Sequence, residues 1–340
     1  MPANRVEYIT IQGFKSFKSV ENLKLNPVNV LIGANGSGKS NFLGVFEFLR
    51  STVESKVNDY VERAGGADNV LHFGAKTTPK LFIKFGDPRW EYHFNPSFVG
   101  TFLISAATKI VPKDLASWNI YHIDDTSSSS PLKKTGKVDD NRFLRPDGSN
   151  LPAFLYFLKL MHESSYALIR KTVELVAPFF DDFILEPRNL APDTIRLEWR
   201  HKSSDQYFDV ASLSDGTLRF IVLATLMLQP VELRPSIILL DEPELGLHPS
   251  AITLLASLIK QAAVDTQVIV STQSPRLVDH FEPEDIIVAE RENGATTLRR
   301  LTSEPLKAWL EDYSLGELWE KNEFGGRPRP ESVDAPAGSR

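Results

Sequence analysis

The sequence predicts an α/β fold in which a mixed sheet carries flanking helices, with a small lobe of antiparallel strands and helix inserted between its two halves. Three observations predict it. The continuously apolar run Val28 to Ile32 ends in a glycine-rich loop, Gly33 to Ser40, that opens a helix. After residue 205, apolar strand-like runs alternate with helical patterns, as they do where parallel strands are joined by crossover helices. Between these regions Leu81 to Ser105 breaks into LFIKFG, WEYHF and TFLIS, separated by Gly, Pro and Asn as in an antiparallel meander.

Taken in order, Val6 to Ile11 alternates as a strand and Val28 to Ile32 is a buried one. The helix begins near Lys39, with Phe42, Val45, Phe46 and Leu49 at helical spacing. Asp124 to Gly148, with four consecutive serines, reads as a mobile surface loop. From Pro152 to Ala177 the stripe Phe154, Phe157, Leu158, Met161, Leu168, Leu175 and Val176 predicts one long helix ending before Pro178. Strands follow at Thr194 to Trp199 and Tyr207 to Val210, a helix at Thr217 to Leu228, a strand at Ile237 to Leu240 and a helix at Pro249 to Ala263. Further strands are expected at Gln267 to Ser271, Ile286 to Ala289 and Thr297 to Leu301. The expected organisation is a core half at 1–75, an insertion lobe at 76–205, a second core half at 206–325 and a flexible tail at 326–340.

Composition narrows the class. A chain of 340 residues that is 42% hydrophobic and 24% charged reads as a soluble globular protein. The longest apolar run, Phe220 to Leu228, is far short of the roughly 20 residues of a membrane span, and the first thirty residues hold no signal-peptide core. A cytoplasmic protein with no membrane partner is expected. The absence of cysteine excludes disulfides, thiolate metal sites and a cysteine nucleophile. A net charge of −6 carries no global nucleic-acid signature, although a local basic face remains compatible with it.

Two motifs carry chemistry. Gly33-Ala34-Asn35-Gly36-Ser37-Gly38-Lys39-Ser40, followed by Asn41, fits G-x-x-x-x-G-K-[ST] between a strand and a helix. Its glycines let backbone N–H groups turn inward around phosphates, Lys39 reaches the β and γ phosphates, and Ser40 ligands Mg2+. Far downstream, Ile237 to Leu240 is a buried strand ending in Asp241, a carboxylate able to hold Mg2+ through its waters. Glu242 beside it is the candidate base that orients an attacking water. The pair predicts binding and hydrolysis of ATP with Mg2+. His248 is either a γ-phosphate sensor, a partner contact or a helix-entry residue.

Ser212-Leu213-Ser214-Asp215-Gly216-Thr217 precedes an apolar helix just upstream of that strand. Together with GANGSGKSN, DEPELGLHP, Ser271-Thr272-Gln273-Ser274-Pro275 and the opening IQGFKSF at Ile11 to Phe17, it resembles the RecF/SMC-related ABC-type ATPases of bacteria, as a compact relative of the OLD-type and phage-defence ATPases. The resemblance covers residues 5–75 and 205–325. It implies a P-loop NTPase fold and a head-to-head homodimer in which Ser214 and Gly216 of one subunit close over ATP held by Lys39 of the other. Read from the residues alone, Ser214 or Asp215 caps the helix instead. Three departures stand out. Asp215 and Thr217 replace residues of the usual signature. Gln273 takes the place of the usual switch histidine, and no glutamine lies between Gln12 and Gln206 to serve as the usual loop ligand, for which His72 is the substitute.

The resemblance implies an ATP-driven switch in DNA repair or anti-phage defence, controlling a separate nuclease or toxin-like effector. A nucleotide-dependent scaffold with little turnover is the alternative, and an ABC transporter's energy-supplying subunit is a weaker one. No N-K-x-D motif supports a GTPase. In Trp309 to Phe324 a solvated amphipathic helix explains Glu311, Asp312, Glu317 and Glu320 better than a nuclease site does. For DNA the candidates are Lys133, Lys134 and Lys137 and the pair Arg299-Arg300, with solvated surface as the default reading.

Overall fold

The computed structural model describes residues 5–86, 90–97, 100–106, 113–123, 125–127, 129–188 and 190–326; the expected tail at 327–340 lies outside them. Two compact units are formed, Met1–Trp118 with Ile269–Arg340, and Asn119–Val268.

The first unit opens with β1 (Tyr8–Phe14), β2 (Phe17–Lys24), β3 (Val28–Ile32), α1 (Lys39–Val53), α2 (Val57–Arg63), α3 (Ala67–Val70), β4 (Leu81–Phe85), β5 (Glu91–Pro96) and β6 (Phe102–Ala106). An antiparallel sheet has the order β2-β1-β4-β5-β6, so the expected meander is present and β1 pairs with its first strand. Strand β2 escaped the sequence reading because its buried residues, Phe17, Val20 and Leu23, recur every third position rather than every second. The register explains this. A bulge pairs Ile9 with Leu23 but Ile11 with Val20, and Asn22 takes up the extra residue at φ 47 with its N–H on the Thr10 hydroxyl. As the sheet's edge, β2 also carries the Lys and Glu residues that discourage further pairing.

Helix α1 is buried on more than the one face its spacing indicated. Phe42, Val45, Phe46 and Leu49 face inward, and so do Leu43 and Phe48. The Phe48 ring lies 4.7 Å from Phe94, 5.2 Å from Tyr60 and 5.6 Å from Phe14, while Phe46 meets Trp118 at 5.6 Å. Aromatic packing on both sides therefore fixes the helix that follows the glycine loop.

The second unit contains β7 (Ile120–Tyr121), β8 (Gly136–Lys137), α4 (Leu151–Met161), α5 (Glu163–Val176), β9 (Phe180–Ile184), β10 (Thr194–Ile195), β11 (Glu198–His201), β12 (Tyr207–Asp209), α6 (Asp215–Leu228), β13 (Ile237–Asp241) and α7 (Pro249–Ala262). Strands β12-β11-β9 make a small antiparallel sheet and β7 runs parallel to β13.

Two expectations are corrected here. The single long helix is two, broken at His162, whose φ of −139° ends α4 and starts α5. The break shifts the phase of the buried stripe. Tyr166, Ile169 and Val173 become the core face of α5, while Met161, Leu168 and Leu175, placed inside by an unbroken helix, are 68%, 44% and 68% exposed. The serine-rich segment is also not an open loop. Ser130 donates to the Asp125 carbonyl and caps Leu132, Leu132 and Leu144 are buried, and Asn150 ties down the carbonyls of Asp140 and Phe143.

The chain returns to the first unit within β14 (Gln267–Ser271) and adds α8 (Pro275–Val278), β15 (Ile286–Glu292), β16 (Ala295–Arg300) and α9 (Leu315–Glu320). In this unit β3 is flanked by β14 and β15, and β15 is followed by β16. Since β15 is parallel to β3 and antiparallel to β16, the expected mixed sheet is present. Its hairpin turns on Asn293-Gly294, both at positive φ. The C-terminal stretch forms only the short α9, with Leu315, Leu318 and Trp319 packed inward and Glu311, Asp312, Glu317 and Glu320 on the surface.

The phase shift in α5 is testable. Ile169→Ala should cost about 2–5 kcal/mol, the usual range for truncating a buried aliphatic side chain, and Leu168→Ala should stay within about 0.5 kcal/mol. Urea unfolding of both variants reads the difference, and the reverse order would restore the unbroken helix.

Candidate functional site

In the first unit, the loop Gly33 to Ser40 joins the buried β3 to α1. Gly33, Gly36 and Gly38 all have positive φ, at 152°, 77° and 105°. Space enforces glycine at two of them. A Cβ at Gly33 would collide with the Ala289 carbonyl, and one at Gly38 with the Thr296 hydroxyl. No side chain caps the N-terminus of α1 and no acidic residue occupies its first turn, which suits a bound anion. The Lys39 ammonium is buried and donates to the carbonyls of Gly33 at 2.8 Å and Ala34 at 3.0 Å. Ser37 is buried too, and its Oγ has no hydrogen-bond partner among the described residues.

A relay of side chains braces this loop, and its polarity follows from the groups' chemistry. The Ser37 carbonyl can only accept, so the Thr296 hydroxyl donates to it at 2.8 Å. Having one hydrogen, Thr296 must accept from Ser16 Oγ, 2.8 Å away, and Ser16 in turn accepts from Asn41 Nδ2 at 2.9 Å. The backbone repeats the link, with Thr296 N–H donating to the Ser16 carbonyl. Thr296 was not among the residues singled out in the sequence. It stands in an ordinary strand pattern far from the loop, and only its neighbour Ser16 carried a signal, in IQGFKSF.

Two pockets flank the loop. One, of about 520 Å3, is lined by Gly33, Ala34, Asn35, Gln273, Pro275 and Trp319, so the switch-like glutamine and the loop share a cavity. Gln273 is held there by its flanks: Thr272 N–H donates to the Leu31 carbonyl and Ser274 caps α8. The other, of about 760 Å3, is lined by Lys15, Ser16, Asn41, His72, Phe73 and Arg291 among others. His72 thus belongs with Asn41 and lines a different pocket from Gln273. Its Nδ1–H donates to the Lys15 carbonyl at 2.8 Å. Burial lowers the pKa of the Lys15 ammonium, with Glu47 opposing, and the group lies over the rings of Phe14 and Tyr60.

The second unit holds the other motif residues. Four buried residues of β13 deliver Asp241 to the strand end. Glu242 follows at φ 46°, a left-handed conformation rare for a non-glycine residue and concentrated at functional sites. Upstream, Ser214 accepts from the Thr217 N–H at 3.1 Å and caps α6. A Cβ at Gly216 would collide with the Gly246 carbonyl, and Arg219 donates to the Leu245 carbonyl at 2.6 Å. The signature-like turn is thereby fastened to the turn after Asp241 and Glu242. His248 accepts from the Ser250 N–H at the start of α7, the helix-entry role.

The basic groups weighed for DNA are largely engaged. Lys133 is 12% exposed, donates to the Thr126 carbonyl and pairs with Asp215 at 3.3 Å. Arg299 holds the Phe324 carbonyl, and Arg300 the carbonyls of Lys24 and Glu284.

A family model described as "AAA domain, putative AbiEii toxin, Type IV TA system" matches residues 106–279, and one described as "AAA ATPase domain" matches residues 5–135. Among solved structures, an SmcHead bound to the C-winged helix domain of ScpA is similar at a TM-score of 0.64 and 18% identity, over 90% of this chain and 100% of that one. The Smc head domain with an extended coiled coil, bound to the C-terminal domain of ScpA from Pyrococcus furiosus, is similar at 0.59 and 15%, over 90% and 98%. At such identities the likeness is one of fold. A curated relative, urease accessory protein 2 of Cryptococcus neoformans var. grubii, is 35% identical over 80 residues, a match spanning 22% of this chain and 6% of that protein.

The relay makes a prediction. Thr296→Val keeps the shape but takes the side-chain donor from the Ser37 carbonyl and the acceptor from the Ser16 hydroxyl, which should cost about 1–3 kcal/mol and weaken binding of a fluorescent nucleotide, while Thr296→Ser should restore both. Equal urea midpoints and affinities for Val and Ser would show the relay to be dispensable.

Proposed function

This chain belongs to the AAA-domain ATPase family and has the fold of an SMC-type head, and from that premise we propose that it binds and hydrolyses ATP with Mg2+. In this reading ATP-dependent head-to-head dimerisation is a switch in DNA repair or anti-phage defence that controls a separate nuclease or toxin-like effector. The observation that carries the proposal is the phosphate cradle. Inward-turned glycine backbone, an uncapped helix N-terminus, a buried Lys39 and the buried Ser37 hydroxyl converge on one loop.

Within it, Lys39 is assigned to the β and γ phosphates, and Gly33, Asn35, Gly36, Ser37, Gly38 and Asn41 to the cradle. The hard oxygen donors expected of an Mg2+ site are Ser40 and Asp241, an assignment resting on the two motifs. Bound there, Mg2+ would neutralise charge on the β and γ oxygens. Glu242 takes a proton from the attacking water as its oxygen bonds to the γ-phosphorus and the bond to the bridging oxygen breaks. Gln273 orients that water, because an amide can hold it without titrating. His72, the substitute for the missing loop glutamine, lines a pocket of about 760 Å3 with Phe73, Lys15 and Asn41. Ser214 and Gly216 act on the partner's nucleotide, with Ser214 also capping α6.

Glutamine in place of the usual switch histidine, with no glutamine between Gln12 and Gln206, favours a second reading, a nucleotide-dependent scaffold with little turnover. DNA contact, if the switch serves repair, is left to Lys134 and Lys137, because Lys133, Arg299 and Arg300 are engaged within the chain. The family description's reference to a toxin–antitoxin system supports a defence role.

Phosphate release and nucleotide binding separate the readings. Lys39→Ala should lose binding, and Glu242→Gln should bind ATP as the unmodified chain does while hydrolysis falls by about 10²-fold or more. If the unmodified chain binds ATP and releases no phosphate, the scaffold reading takes over.

A further inference from the structure

We propose that Lys133 is a positioning residue of the signature-like turn: its ammonium cancels the charge of Asp215, so that the start of α6 can meet the partner's γ-phosphate. The inference rests on the head-to-head reading above and deepens it. Asp215 is the first residue of α6 and the acidic residue of its first turn, between Ser214 and Gly216, the two residues assigned to the partner's nucleotide. By contrast α1, the helix that follows the phosphate loop, has no acidic residue in its first turn. A carboxylate at a helix N-terminus is stabilised by the same positive end that attracts a phosphate, and it repels the phosphate by direct charge. Left uncancelled, Asp215 opposes the contact that Ser214 and Gly216 are there to make.

The cation comes from the serine-rich segment, 82 residues upstream. Lys133 Nζ lies 3.3 Å from Asp215 Oδ1 and also donates to the Thr126 carbonyl. The lysine side chain is 12% exposed and the aspartate 63%, so a mostly buried cation is held against an exposed anion. Its base is rigid. Lys133 ends the turn Pro131–Lys133, whose cap Ser130 accepts from the Leu132 N–H and donates to the Asp125 carbonyl. Leu132 is buried, and with Val222 of α6 it closes the space around Gly148 so tightly that a Cβ there would collide with it. The lysine is thus built onto the helix whose charge it cancels. An ion pair with so exposed a partner adds little to stability, which leaves its effect on an incoming phosphate as the larger consequence.

A plainer use of the pair is to fasten the segment to α6, and in that case losing either partner has the same effect. The proposed role makes the two losses opposite. The experiment is light scattering with MgATP in the Glu242→Gln protein, taken as the reference, with MgATP affinity and the urea midpoint measured beside it. Added to that reference, Lys133→Gln keeps an N–H donor for the Thr126 carbonyl and removes the charge. It should bind MgATP within about threefold of the reference but need at least about tenfold more protein to dimerise. Asp215→Asn should dimerise at least as readily as the reference. Combining Asp215→Asn with Lys133→Gln should recover most of the loss, although the double variant has no ion pair at all. If Lys133→Gln dimerises as the reference does, if Asp215→Asn weakens the dimer as Lys133→Gln does, or if the double variant recovers nothing, the pair is only a fastening and the proposal is overturned. Should Lys133→Gln fail to fold, Asp215→Asn decides alone, since a weakened dimer there overturns the proposal. A reference that stays monomeric with MgATP would overturn the head-to-head reading and this role with it, whereas a dimeric reference with a normal Lys133→Gln removes only the role of Lys133.

Discussion

The hydrogen-bond relay from Asn41 through Ser16 and Thr296 to the Ser37 carbonyl is the constraint on which the phosphate site depends. A loop whose N–H groups must face a ligand has turned its own carbonyls outward, and one of these is buried. Left unpaired it would disfavour the conformation that the glycines permit. The relay satisfies it and uses each hydroxyl once as donor and once as acceptor. It also draws three separate stretches of sequence onto one turn, the hairpin after β1, the start of α1 and strand β16. The glycines supply conformational freedom and Thr296 removes it again.

What could be read from the sequence was whatever local backbone chemistry dictates. The phosphate loop, the carboxylate strand and the serine-capped turn before α6 are each set by residues within a few positions of one another. Strand β14 was placed at its observed bounds because its apolar run is uninterrupted. The failures share another cause. Strand β2 hides its period behind a bulge that exists only when β1 is alongside, and α5 hides its phase behind a break at His162, whose backbone leaves the helical region. Thr296 could not be read at all, since its partner Ser37 is 259 residues away and nothing near Thr296 marks it.

The two units divide the chemistry between them. The first holds the phosphate loop, the switch-like Gln273 and the His72 pocket; the second holds Asp241, Glu242 and the turn of Ser214 and Gly216. In the second unit the signature-like turn is locked to the turn after Glu242 by the close approach of Gly216 to Gly246 and by Arg219 on the Leu245 carbonyl. In the proposed cycle, a change at Glu242 would have a short covalent and hydrogen-bonded route to the turn of Ser214 and Gly216. That coupling is what a dimerisation switch requires, because ligand held across an interface shifts the equilibrium only by its preference for the closed state.

The central claim is that nucleotide closes two copies of this chain over each other. Its most direct measurement is the mass in solution of the Glu242→Gln protein by light scattering, with MgATP and then with MgADP. The account predicts a dimer with ATP that returns to monomer with ADP. A mass that is the same in both nucleotides would contradict it.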